Sequence, residues 1–415
     1  MTTKLHLNFI DFVRVPIQFY KTIGEELYEH RSTNWIQTLV FKILFYAGFI
    51  NFNLLVVGEV IYFVKALGSY ETVLQATAVA PCIGFSLVAD FKQIALGAYK
   101  KILRQHLDEL ERIFPNTTQK QLDYKLSHYE RTLQRVMVIF SFLCLAYTST
   151  FSIYPICKST VMYYLLGAPE FERNFGFFIW YPYNTTQNNL VYGLTYMGQV
   201  HGAYLAGVAF LSADLLLVAS VTMLCMHFNF ISNSLERYCG EALTERENLQ
   251  FLKEIIVLSE DVNTMFSFSL LLNFLTASLT ICFIGFQVTA SSLEDIIKYG
   301  IFLAASMVQV FVICFYGDAL ITAVTAYNQS WFGCSLKYKK MLSYIIMRSQ
   351  KPASIRAPTF PSVSFETYMK VFFFCVFIFN TKFIYVYTYT FISFLKVISM
   401  SYQFFALLRT TYYKD

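Results

Sequence analysis

The side chains best placed for chemistry in this sequence are ones that can hold a small apolar molecule. Tyr147, Thr148 and Phe151 stand at i, i+1 and i+4, and Met197, His201 and Tyr204 at i, i+4 and i+7, so each trio shares one face of a helix. Leu74 and Ala78 form a smaller pair, also four residues apart. Such faces supply dispersion and apolar burial, with a hydroxyl or an imidazole to orient one or two polar atoms. Ordinary helix packing draws on the same residue types, and a share of these positions is expected to do only that.

Four carboxylates, Glu59, Asp90, Asp214 and Asp318, lie inside apolar runs, where burying charge is costly. Either each faces a neighbouring helix and is hydrogen-bonded there, which is the simpler reading, or it borders a water-filled path or an ion pair that changes on gating. Gln199 and His201 pose the same choice on one helix: they line a cavity, or they satisfy a backbone carbonyl.

Covalent and metal chemistry are not indicated. The chain has no P-loop, no Gly-rich dinucleotide turn and no HExxH. Its histidines, at 6, 30, 106, 128, 201 and 227, are scattered, and none pairs with another ligand at helical spacing beside a carboxylate. No cofactor, metal or enzymatic activity is expected. Six of the nine cysteines, Cys82, Cys144, Cys225, Cys282, Cys314 and Cys375, fall within apolar runs and read as small buried residues rather than a disulfide framework.

Only a membrane explains the elements that must position these faces. Charged residues make up 14% of the chain, against about 25% in soluble domains, too few to cover a soluble surface. Lipid removes the mismatch by replacing water around the apolar faces. A span needs about 20 mostly apolar residues. Six are expected, over 35–64, 73–98, 136–156, 196–230, 265–290 and 299–326, with at least one more after Phe365. The fold class is thus an all-α, polytopic membrane protein of seven spans, forming one domain over 1–415. Residues 1–34 show no apolar core followed by a cleavage site, so the first span is expected to serve as the targeting signal. Between spans, 99–135 reads as the second helix continuing out of the bilayer, with Leu103, Leu107, Leu110 and Phe114 at helical spacing. Residues 236–262 form a second charged helical stretch, and 327–364 form a basic cytoplasmic loop and helix.

Orientation follows from Lys and Arg bias. The first 34 residues carry Lys4, Arg14, Lys21 and Arg31, and the link after the second span carries nine basic residues from Lys92 to Arg135. The links after the fourth and sixth spans are also basic, whereas the alternate ones hold little beyond Lys65, Lys158, Arg173 and Lys298. The N-terminus is therefore expected in the cytoplasm and, with seven spans, the C-terminus outside. Of three N-x-S/T sequons, at Asn116, Asn184 and Asn328, only Asn184 then lies outside, making it the expected glycosylation site. The net charge of +5 is small, and no nucleic-acid partner is expected.

The stretch from Phe311 to Pro352 is the most specific. It contains Tyr316-Gly317-Asp318, then Tyr327 and Trp331 as Tyr-x-x-x-Trp, then Arg348-Ser349-Gln350-Lys351-Pro352. The tail reads Ser401-Tyr402-Gln403-Phe404-Phe405-Ala406-Leu407-Leu408-Arg409, and Met226-His227-Phe228 precedes Ser232 to Arg237. In these features the chain resembles the insect odorant receptors over nearly its whole length. The resemblance implies that a helix ends near the Tyr-Gly-Asp triplet. It also implies an odour-gated, non-selective cation channel in the plasma membrane of olfactory sensory dendrites. A tuning subunit there assembles with a shared co-receptor into a heterotetramer. The charged stretch 236–262 is too short for the co-receptor's long loop, so this chain resembles a tuning subunit. On that resemblance a volatile ligand sits among the second, third, fourth and sixth spans, where Leu74, Ala78, Tyr147, Thr148, Phe151, Met197, His201 and Tyr204 are the expected contacts. The last helix lines the pore with Tyr402, Phe405, Leu408 and Arg409, and Tyr327 and Trp331 belong to an intracellular anchor between subunits. A gustatory-type homomeric channel or a polytopic transporter is the alternative. The absence of an internal repeat argues against a transporter.

One segment departs from that pattern. From Val371 to Lys396 the chain is almost wholly Phe, Tyr, Ile, Val and Thr, flanked by the echo Met369-Lys370-Val371 and Leu395-Lys396-Val397. The apolar run from Tyr368 to Leu408 is roughly twice what one span needs. Removing 371–396 joins Lys370 to Val397 and restores one last helix of ordinary length, so the segment reads as a retained intron rather than a working isoform.

Overall fold

The computed structural model describes residues 6–25, 35–68, 73–237, 242–290 and 293–330, together with Val363. Every regular element among them is a helix: α1 (Phe9–Thr22), α2 (Trp35–Leu67), α3 (Val73–Arg112), α4 (Thr118–Asp123), α5 (Leu126–Tyr164), α6 (Asn189–Arg237), α7 (Ala242–Ala290) and α8 (Leu293–Ser330). Six of these, α2, α3, α5, α6, α7 and α8, are long and apolar enough to cross a membrane. They are the six expected spans, prolonged by three residues in α2 and by one to several turns in the others. The expected seventh span, with Tyr402, Phe405, Leu408 and Arg409 and the segment 371–396, lies outside the described residues.

The six helices divide by how they meet lipid. Along α2, Trp35, Leu39, Ile43, Leu44, Ile50, Leu54 and Val57 are exposed, an apolar surface that only a hydrocarbon solvent tolerates. The opposite case is α6, in which every residue from Leu205 to Phe228 is buried or nearly so. It packs against α1, α2, α3, α5, α7 and α8, and a helix that is apolar on all sides is the one a bundle can surround.

The end of the bundle nearest the N-terminal helix is built from charged stretches that carry one apolar stripe. As the sequence predicts, α3 runs past its span to Arg112 and buries Leu103, Leu107 and Leu110, with Phe114 just beyond. Phe114 meets Phe9 and Phe12 edge-on, at centroid distances of 6.0 and 5.7 Å. These belong to α1, a helix that the sequence reading of residues 1–34 does not expect. Its buried residues, Phe9, Phe12, Val13, Pro16, Ile17 and Tyr20, make a stripe that seats it on α5 and α6. Gln121 ties the two regions together, donating to Leu7 O at 2.8 Å and accepting from Leu7 N at 3.1 Å. Tyr124 lies flat on Phe230 at 4.0 Å, and burial pushes its hydroxyl well above the ordinary tyrosine value.

Two expectations need correction. Tyr316-Gly317-Asp318 does not end a helix: α8 continues through it to Ser330, with no further Gly or Pro from Ala319 onward to stop it. And Lys92 is not a loop charge. It is buried within α3, paired with Asp214 of α6.

Candidate functional site

Four helices and one loop line a partly open cavity. Each helix contributes a stripe at helical spacing. From α2 come Phe52, Leu55, Val56 and Glu59; from α3, Cys82, Phe85 and Ser86; from α5, Tyr147 and Thr148; from α6, Gln199, Gly202, Ala203 and Ala206. The small residues of α6 create the space, since bulkier ones there would fill it. Phe177 and Ile179, from the loop joining α5 to α6, close one side. That loop lies directly on α2: Trp180 N donates to Gly58 O at 3.1 Å, and a Cβ on Gly58 would meet Ile179 at 2.5 Å. Any side chain at Gly58 would push the loop away.

One wall of the cavity is aromatic and two layers deep. Tyr147 stacks on Phe302 of α8 with centroids 4.3 Å apart and meets Phe85 edge-on at 5.5 Å. Phe151 stands behind Tyr147, at 5.0 Å, and stacks on Phe177 at 5.8 Å. Ala78, Ile284 and Tyr299 complete this buried cluster. The lining also carries polar groups. The Gln199 amide donates to Tyr181 Oη at 3.2 Å, and Ser86 hydrogen-bonds Glu59. Burial pushes the Tyr181 hydroxyl, which belongs to the loop, up to about 12.

The positions picked from sequence thus separate into groups. Tyr147 and Thr148 line the cavity; Phe151 and Ala78 form the layer behind it. Met197, His201 and Tyr204 share one face of α6, but that face is exposed and turned away from the cavity. His201 Nδ1 instead lies 3.3 Å from the Asn51 amide of α2. The reason is geometric. On a helix apolar all round, periodicity shows which residues share a face but not which face turns inward. The side chain of Leu74, like that of Tyr327, lies outside the described residues, as does Trp331. The first span, α2, lines the cavity with four residues, whereas the sixth, α8, supports the wall from behind.

A second polar cluster lies deeper, where α3, α6, α7 and α8 meet. Asp214 Oδ1 accepts from Lys92 Nζ at 2.8 Å and from the Asn273 amide at 3.3 Å, and Oδ2 accepts from the Gln309 amide at 2.7 Å. Lys92 also donates to Phe210 O at 3.3 Å and sits over the Phe210 ring, 3.8 Å from its centroid. Phe210 packs on Phe85 at 4.5 Å, and Phe85 lines the cavity. A continuous run of contacts therefore joins the cavity wall to the helix junction.

Comparison with known proteins agrees with this architecture. A family model described as 7tm Odorant receptor matches residues 72–376. Odorant receptor 67c of Drosophila melanogaster is 55% identical over 98% of this chain and 97% of its own length. The chain belongs to the odorant receptor family. Putative odorant receptor 92a of the same fly is 50% identical over 98% of the chain and 96% of the relative. The insect olfactory receptor OR5 from Machilis hrabei shares the fold, with a TM-score of 0.73 at 15% identity, covering 89% of this chain and 96% of that one. OR5 has also been solved in complex with eugenol, with the same similarity.

This odorant receptor is accordingly a multi-pass membrane protein. Glu59 and the small-residue stripe of α6 escaped the sequence reading as cavity residues, although both left a signal. Glu59 falls in register with Phe52, Leu55 and Val56, and Gly202, Ala203 and Ala206 interrupt an otherwise bulky apolar run. Asn184 is exposed in the α5–α6 loop, where its Oδ1 accepts from Thr186 N at 3.1 Å and Thr186 Oγ1 at 3.0 Å.

Proposed function

We propose that this odorant receptor is a tuning subunit of an odour-gated, non-selective cation channel. It acts with a shared co-receptor in the plasma membrane of olfactory dendrites. The observation that carries the reading is the cavity between α2, α3, α5 and α6, with its two-layered aromatic wall and its polar groups. That lining suits a volatile organic molecule, which offers an apolar body and one or two polar atoms. Ligand binding gates the pore only through a difference in affinity between its closed and open states. The contacts from Phe85 through Phe210 and Lys92 to Asp214 give the cavity a route to the four-helix junction. The N-terminus is cytoplasmic and the α5–α6 loop extracellular, with Asn184 as its glycan acceptor. The last helix presents Tyr402, Phe405, Leu408 and Arg409 to the pore, and Tyr327 and Trp331 join the anchor between subunits.

The test is expression of the chain alone and together with the co-receptor, with currents recorded during exposure to an odour panel. Odour-evoked cation current is expected only from the pair. Current of equal size from the chain alone would overturn the tuning-subunit reading in favour of a homomeric channel.

A further inference from the structure

We infer that the cavity selects ligands bearing a hydrogen-bond donor, a hydroxyl or an amine N–H, held between Glu59 and Gln199. The inference rests on the cavity being the odorant site and adds the chemical class of its ligand.

Glu59 and Gln199 approach the cavity from different helices, α2 and α6, and both are more than nine-tenths buried, at 5% and 3% exposure. Each keeps one oxygen without a partner: Glu59 Oε2 and Gln199 Oε1. Other atoms of both groups have partners within the protein. Ser86 hydrogen-bonds the Glu59 carboxyl group, and the Gln199 amide nitrogen donates to Tyr181 Oη at 3.2 Å, which leaves the amide oxygen without a partner. Thr148, also in the lining, spends its hydroxyl on Cys144 O at 3.0 Å.

Buried polar atoms without a partner are costly, and a ligand that supplies the missing bond removes that cost when it binds. Both leftover groups are oxygens. Gln199 Oε1 can only accept. Glu59 accepts as a carboxylate, and as a neutral acid it both accepts and donates. A hydroxyl satisfies either form, donating to one oxygen while its own lone pairs take a proton if Glu59 offers it. An ether or ester oxygen cannot bond Gln199 Oε1 at all. It leaves that acceptor buried and unpaired, and sites built around a substrate O–H or N–H reject analogues lacking it. The rest of the lining, such as Phe52, Val56 and Phe85, receives the apolar body.

The experiment uses the full chain co-expressed with the co-receptor. Dose–response curves are recorded for matched compounds of one carbon skeleton: a primary alcohol, a primary amine, the methyl ether and the methyl ester. Surface biotinylation runs in parallel. The alcohol or amine is expected to act at concentrations at least tenfold below the ether and ester. Gln199→Met and Glu59→Met each bring that ratio towards one, while Glu59→Gln, which retains an acceptor oxygen, keeps the preference for the alcohol. Equal potency of donor and non-donor compounds at the unmodified receptor overturns the inference and leaves the cavity's role intact. A preference unchanged in Gln199→Met and Glu59→Met, with normal surface amounts, also overturns it. A complex that reaches the surface yet stays silent to every compound, and to a broad odour panel, overturns the receptor reading beneath it. If a Met variant fails to reach the surface, the ratio at the unmodified receptor and in Glu59→Gln still decides.

Discussion

Lys92 and Asp214 lie 122 residues apart in sequence and 2.8 Å apart in the structure, with 1% and 4% of their side chains exposed. The pair is surrounded by further donors, Asn273 and Gln309, so the carboxylate has three protein partners from three other helices.

Removing one partner should be far worse than removing both. Lys92→Met or Asp214→Leu alone strands a buried charge or its neutral form, at a cost of about 3–5 kcal/mol for a buried pair. Each single variant is expected to lose most of its surface population and to aggregate at lower temperature in detergent. The double variant should suffer clearly less than the sum of the two losses. Strictly additive losses, read by surface biotinylation and thermal aggregation, would show that the pair is not coupled.

Ligand potency should depend on which face of a helix a residue occupies. Tyr147→Ala removes an aromatic surface from the cavity wall, and ~1.5–3 kcal/mol of apolar transfer corresponds to more than a tenfold loss of potency. Met197→Ala, on the outward face of α6, should leave dose–response curves unchanged. Phe151→Ala acts through the lining residues it supports, Tyr147 and Phe177, and should shift potency less than Tyr147→Ala. A Met197 effect as large as that of Tyr147 would move the binding site to the outside of the bundle.

Those contrasts mark how far the sequence could be read. The six spans were legible because length and apolarity suffice to define them. The helix α1 was not, being only 14 residues long, although Phe9, Phe12, Val13, Ile17 and Tyr20 already spell an amphipathic stripe. Lys92 counted as a loop charge because a hydropathy window cannot see a carboxylate on another helix. Tyr147 and Thr148, picked from their spacing, line the cavity with Gln199, while Met197, His201 and Tyr204 lie on a face of α6 turned to the outside of the bundle. On α6 almost every side is apolar, so rotation about its axis is fixed by tertiary packing alone.

Topology can be checked directly. An epitope at the N-terminus should stain only permeabilised cells, and Asn184→Gln should abolish any glycan-dependent shift in mobility. Staining of intact cells by the N-terminal epitope would reverse the assigned orientation.

The segment from Val371 to Lys396 makes a prediction about message rather than protein. The family match stops at residue 376, inside the segment. The dominant antennal transcript is expected to lack these 26 residues and to join Lys370 to Val397. The chain carrying them should conduct less current with the co-receptor than the chain joined from Lys370 to Val397. A dominant transcript encoding all 26 would require the seven-span count to be redrawn.

The surrounded position of α6 also bears on how the chain is made. A carboxylate near the middle of an inserting helix costs roughly 2.5–3.5 kcal/mol on translocon scales. Synthesis delivers Lys92, on α3, to the bilayer well before Asp214 leaves the ribosome, and Asn273 and Gln309 only afterwards. The cation is thus already in the membrane when the acid arrives, and the two amides close around a pair that exists. Read along the chain, the junction is an assembly sequence, in which each helix that enters makes the next one admissible.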